Sequence, residues 1–199
     1  MSAELIQQYA HIHSKRNYGA AGLQKAHFIL SHMYRVKPQS VIDYGCGRSR
    51  LPDLLKYLGV PKVTRYDPAI PAYSARPEAK HDLLISVDVM EHLPEDEVDG
   101  VLSDMMSLGR NAVLVINTRL AKTILPDGRN AHLTVRPAIW WLKTLKRHWP
   151  ETEQIVMTPS YQAAFKTWPT PWLQIPAIAL SRNWHRRMRD VYKKAVDES

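Results

Sequence analysis

One cysteine, Cys46, stands in a chain of 199 residues. A disulfide framework inside the chain is thereby excluded, and so is a zinc site built on several thiolates. No apolar run approaches the ~20 residues that span a bilayer. The opening residues lack a basic stretch followed by an apolar one, so neither a membrane span nor a secretory signal is expected. Repeats and low-complexity segments are absent too. With 45% hydrophobic and 23% charged residues, the composition excludes a disordered polyelectrolyte or a fibrous array. What remains is a globular, cytoplasmic protein of one domain, or one with a modest appendage, and with no membrane partner.

Charge is present but unevenly spread. The chain carries a net +8, yet residues 78–104 hold nine acids and a single base, Lys80. The rest of the chain therefore holds 26 bases against ten acids. Six of those bases, from Arg182 to Lys194, oppose only Asp190. An acidic segment in a basic chain suits a cation or a proton, inside a surface that attracts polyanions. A solvated acidic helix and a solvated basic tail account for the same pattern equally well.

The apolar pattern alternates between helix and strand. Leu5, Ile6 and Tyr9, then Leu23, His27, Leu30 and Tyr34, recur at helical spacing on either side of a polar break at Ser14–Gly19. Val41–Tyr44, Lys62–Tyr66, Leu83–Val87 and Ala112–Ile116 read as strands, the third apolar enough to be buried on both faces. Leu51–Leu58 and a segment opened by Pro94 read as helices between them. Gln154–Thr158 and Gln162–Thr167 predict an antiparallel hairpin around Pro159-Ser160. The expectation is an α/β fold: a doubly wound, mostly parallel sheet over residues 1–168 with N-terminal helices, then a Pro-rich and basic helical tail over 169–199. That tail should form a helix from about Ser181 to Val196. Trp140-Trp141 suits packing on the sheet, whereas Trp168, Trp172 and Trp184 are better candidates for an adhesive or substrate-facing surface, although core packing is the leading expectation for them as well.

The strongest local motif is Val41-Ile42-Asp43-Tyr44-Gly45-Cys46-Gly47. Near-adjacent glycines after a strand let a ligand approach the backbone. Asp43 is wrong for a pyrophosphate in that turn and suits an amino-bearing ligand instead. Asp67 ends the next strand twenty residues after Gly47, where an acid can accept hydrogen bonds from ribose hydroxyls. A structural turn with a strand-end acid is the plainer alternative. Further on, Asp82 precedes an apolar run that ends in Asp88-Val89-Met90-Glu91-His92.

In these motifs, across about residues 38–165, the chain resembles the class I S-adenosylmethionine-dependent methyltransferases, and most closely compact proteins of that type in phages and bacteria. The resemblance implies a Rossmann-like methyltransferase fold and S-adenosyl-L-methionine as cofactor. It places Asp43, Gly45, Cys46 and Gly47 near the methionine part, Asp67 at the ribose, and Asp88 beside them. Two departures stand out. Ser49 replaces the third glycine of the turn, and only fourteen residues, three of them proline, separate Asp67 from Asp82. A crossover unit needs more than a dozen residues and an unbroken helix, so the usual third strand should be missing.

Glu91 and His92, with His132 in a later loop, are the candidate catalytic residues. Together with Asp88 they offer oxygen and imidazole ligands suited to Mg or Mn. Without a metal, one histidine is a candidate general base, and as a third reading Glu91-His92 merely orients the helix after Pro94. The expected function is methyl transfer to an oxygen or nitrogen nucleophile, on a nucleic acid or a phosphorylated substrate, with the basic tail tracking nucleic acid. The alternative is a non-catalytic module of the same fold that docks on nucleic acid or protein. An NAD(P)-dependent oxidoreductase is disfavoured by the missing third glycine and by Asp43.

Overall fold

The computed structural model describes residues 2–15, 19–157 and 161–197. The centre of the polar break, residues 16–18, and the Pro159-Ser160 turn lie outside the described residues. Two helices, α1 (Ala3–Lys15) and α2 (Gly22–Val36), precede the sheet. The strands are β1 (Ser40–Tyr44), β2 (Lys62–Tyr66), β3 (His81–Val87), β4 (Gly109–Asn117), β5 (Glu153–Ile155) and β6 (Gln162–Lys166). Between them lie α3 (Leu51–Tyr57), α4 (Val98–Leu108) and α5 (Ala138–His148), and α6 (Ile175–Arg187) and α7 (Arg189–Asp197) end the described chain. The sheet order is β2-β1-β3-β4-β6-β5. Its first four strands are parallel, and β6 runs antiparallel to both β4 and β5.

The continuous apolar strands have two layers to fill. Ile42, Leu84, Leu114 and Phe165 pack against α4 and α5 through Leu102, Met105, Trp141 and Leu145. The alternate residues Val41, Leu83, Ile85 and Val113 meet α2, α3 and α7 through Ile29, Leu54, Leu55 and Val196. Burial on both faces explains why these strands show no polar alternation.

Between Asp67 and Lys80 the chain forms only a short 3-10 turn, Pro71–Tyr73. Pro68, Pro71 and Pro77 deny this interval a helix. The third-strand unit is therefore absent, as the spacing predicts, and β2 becomes an edge. Arg65 on that strand pairs with Asp53 at 2.7 Å, and such charges discourage pairing with another chain.

One expectation is corrected. The tail is two helices rather than one, because the chain already turns helical at Ile175, with Pro176 in the first turn where its missing N–H costs nothing. The helix then breaks at Met188, before α7. Trp168 takes the core-packing role, buried with Tyr192 and Val196. Beside it, the buried Lys166 ammonium donates to Glu153 at 2.6 Å and to the Trp168 carbonyl. Glu153 in turn accepts from the Thr170 N–H, which ties the hairpin to the tail.

Candidate active site

The glycine turn is held from β2. The amides of Gly45 and Cys46 both donate to the Tyr66 carbonyl, at 2.8 and 3.1 Å. Asp67 accepts from Gly47 N–H at 2.8 Å with one oxygen and from Ala69 N–H at 2.9 Å with the other. Its carboxylate therefore shapes the turn as well as facing the cavity. The space a side chain would take is filled by the protein itself. A Cβ on Gly45 would lie 2.4 Å from a Val89 methyl, and one on Gly47 would lie 2.6 Å from the Gly19 carbonyl. The reason for glycine here is thus close packing of the chain on itself, where the sequence suggested room for a ligand.

A cavity of about 660 Å³ opens at the carboxyl ends of the parallel strands. Gly45, Gly47, Asp67 and Asp88 line it. It continues over the ends of β1 and β2 toward α4, to Tyr44, Tyr66, Arg76 and Asp104, and in the other direction to His92, Asn117, Arg119 and His132. Asp43, Cys46 and Glu91 are buried behind the wall rather than on it. α1 roofs the cavity: Ile6, Tyr9 and His13 line it. The Tyr9 hydroxyl reaches the carbonyls of Ala131 at 2.8 Å and His92 at 3.1 Å.

The acidic cluster is organised by a residue the sequence reading passed over. Asn117, at the end of β4, donates its side-chain amide to Asp88 at 2.9 Å and to Glu91 at 2.8 Å, and its backbone N–H to Glu91 at 2.9 Å. Its signal was visible: a polar residue directly after the apolar run Ala112–Ile116, at a strand end that faces the site. Asp88 holds φ +55°, a left-handed conformation that an ordinary side chain adopts only under tertiary constraint. Burial raises the pKa of both carboxyls, and the Glu91 charge raises that of Asp88 further.

Glu91, His92 and His132 do come together, with one ligating atom of each within 4.8 Å of the others, while Asp88 is outside that group. His92 Nδ1 lies 2.7 Å from the Ala131 carbonyl, and the Asp88 main chain also borders the ring. Burial, the largest influence, pushes its pKa down to about 4. His132 is different. Its Nδ1 donates to the Arg119 carbonyl at 2.6 Å, which fixes the tautomer and leaves Nε2 with the lone pair. Burial lowers its pKa as well, so the ring is neutral at pH 7.

No family model matches the chain, and no curated protein does. Solved structures do. A complex of DhpI with S-adenosylhomocysteine aligns with a TM-score of 0.53 at 14% identity, over 85% of this chain and all of that one. The Burkholderia thailandensis 1,6-didemethyltoxoflavin-N1-methyltransferase, with its substrate and S-adenosylhomocysteine bound, gives 0.53 at 14% identity, over 84% of this chain and 89% of that one. The mitomycin 7-O-methyltransferase MmcR gives 0.60 at 12% identity, over 81% of this chain and 59% of that one. The chain has the class I methyltransferase fold. Within that fold its glycine turn is buttressed by Gly19 and Val89 and its cavity is roofed by α1.

Asp43, behind the turn, offers a test of the buttress. Burial raises its pKa from 3.8 to about 7, Arg65 opposes the shift and Asp67 adds to it. One of its oxygens, Oδ2, is buried without a partner. The folded state therefore holds a proton that the unfolded chain releases near pH 4. This contribution to stability is complete below that pH and lost as pH rises toward 7. Asp43→Asn should gain on the wild type by up to about 4 kcal/mol in urea unfolding between pH 4 and pH 8. A difference that stays flat with pH would show that Asp43 is ionised throughout.

Proposed function

We propose that the protein is an S-adenosylmethionine-dependent methyltransferase acting on an oxygen or nitrogen nucleophile. One observation carries this reading: a single cavity joins the glycine turn and Asp67 to a neutral histidine whose Nε2 is available. The methionine part would lie against Gly45 and Gly47 and the ribose at Asp67. Adenine would lie toward Tyr44, Tyr66 and Arg76, between the strand ends and α4. The acceptor then approaches from the His132 side. Its oxygen or nitrogen bonds to the methyl carbon as the sulfonium–carbon bond breaks, leaving a neutral thioether, and its proton passes to His132 Nε2. Arg119 and Lys122 on the cavity wall favour a phosphorylated acceptor.

Titration calorimetry with S-adenosylhomocysteine and S-adenosylmethionine tests the foundation. Micromolar binding of both supports the enzyme. Silence at millimolar ligand leaves a non-catalytic module of the same fold.

A divalent ion is the second reading, and one observation favours it. Glu91 Oε2 is buried with no hydrogen-bond partner, in a group of donors whose mutual spacing is compatible with ~2.0–2.5 Å metal bonds. Glu91, His92 and His132 would hold the ion, which would supply Lewis-acid stabilisation of the acceptor's anion. EDTA should leave the initial rate unchanged; a loss reversed by Mn²⁺ would instead assign these three residues to a metal.

A further inference from the structure

The helix α6 has two apolar faces where one would suffice. Its inner face docks on α2: Ile178 is buried and the Arg182 guanidinium lies 5.1 Å from the Phe28 ring. The outer face should then be polar, as on a helix with water beyond it. Instead Leu180 and Trp184 follow one another at an interval of four residues, 71% and 54% exposed, and Trp172 and Leu173, in the short 3-10 turn just before the helix, extend the strip at 75% and 68% exposed. Apolar side chains gathered at that density on a surface mark an interaction site rather than scatter.

The charges on this part of the chain are mostly of one sign. Arg186, Arg187, Arg189, Lys193 and Lys194 are exposed on α6 and α7, against two acids on α7, Asp190 and Asp197. On a helical wheel Arg187 falls in line with Leu180 and Trp184, at the carboxyl end of the strip. We propose that α6 and α7 dock this protein on an anionic lipid surface, with the Leu173–Trp184 strip in the headgroup–acyl boundary and the arginines and lysines on the lipid phosphates. No helix of the described residues is long and apolar enough to cross a membrane, so the contact is peripheral.

Charge alone suits nucleic acid equally, as the sequence suggested. The apolar half decides between the two. Bases stack on tryptophan, but the aliphatic Leu173 and Leu180 offer no stacking face and match acyl chains instead. The α6 helix is also already folded and fixed, by Ile178 and Arg182, with its strip outward, so insertion requires no ordering of the chain.

Vesicle flotation tests this independently of turnover. With the full chain and vesicles of three parts phosphatidylcholine to one part phosphatidylglycerol, the protein should float with the lipid. Pure phosphatidylcholine or high salt should release most of it. Leu180→Glu with Trp184→Glu should lower the bound fraction at least tenfold, and Arg186→Gln with Arg187→Gln and Arg189→Gln several-fold. Both variants should keep the wild-type melting temperature, since the altered side chains are exposed. Several results would overturn the proposal: no flotation, flotation unchanged by the Leu180/Trp184 variant, or equal binding to neutral vesicles. Two others would reassign the strip: a dimer in solution that the Leu180/Trp184 variant dissociates, or tight binding of a single-stranded oligonucleotide lost in the same variant.

Discussion

Alanine at position 132 is expected to slow methyl transfer by about two to four orders of magnitude, the usual contribution of a placed general base, while S-adenosylhomocysteine affinity stays within about threefold. The split follows from position. His132 lines the acceptor end of the cavity, and its hydrogen bond to the Arg119 carbonyl links loop residues away from the glycine turn. Removing the imidazole should leave the cofactor end intact and the acceptor's proton without a destination. In the wild type the rate should fall on the acid side with a midpoint below ~6.5, because burial lowers the His132 pKa from that ordinary value. The variant should lose this limb, and added imidazole should restore part of its activity through the open cavity. A single-turnover rate within a factor of two of wild type would remove His132 from the chemistry. Equal losses of rate and cofactor affinity would mean that it supports the fold instead.

Gly45→Val is expected to destabilise the fold rather than impair ligand binding alone. The residue sits at φ +70°, where a side chain costs ~1–2 kcal/mol. Its Cβ would stand 2.4 and 3.0 Å from the two Val89 methyls. Relief requires moving the segment that carries Asp88, and overpacking of this kind costs ~1–3 kcal/mol or more. Together the terms reach roughly 2–5 kcal/mol, a large fraction of the ~5–15 kcal/mol that holds an ordinary domain folded. Thermal melts should fall by roughly 10 °C or more, or the protein should be recovered unfolded. Gly45→Ala combined with Val89→Ala should recover the steric part only, and so melt between the two. A Gly45→Val protein with an unchanged melt but no affinity for S-adenosylhomocysteine would return the glycine to a ligand-facing role.

The sheet was legible because its strands are buried on both faces: Val41–Tyr44 and Leu83–Val87 hardly admit another reading, and the glycines mark where the first of them turns. The missing unit was legible from three prolines in a short interval. The grouping of Glu91, His92 and His132 was half legible. Chain order placed each at a strand's carboxyl end but not the rings' hydrogen bonds, which depend on where carbonyls 131 and 119 happen to point. Val89 as the neighbour of Gly45 was not legible, since a contact across forty-four residues leaves no trace in local spacing. Nor was the break at Met188, because arginine and lysine sustain a helix wherever packing allows one.

The roof over the cavity has a consequence for the order in which the protein is made. Tyr9 bonds the Ala131 carbonyl across 122 positions of sequence. The apolar face that carries Leu5, Tyr9 and Ile12 rests on Ala69, Leu125 and Ala131. On the ribosome α1 therefore emerges long before its resting place, and its greasy face must wait while most of the sheet is synthesised. Loop closure over such a span is slow compared with helix formation. Nascent chains stalled before residue 131 should expose α1 to protease and to chaperones, and the pocket gains its roof only after residue 131 has been made.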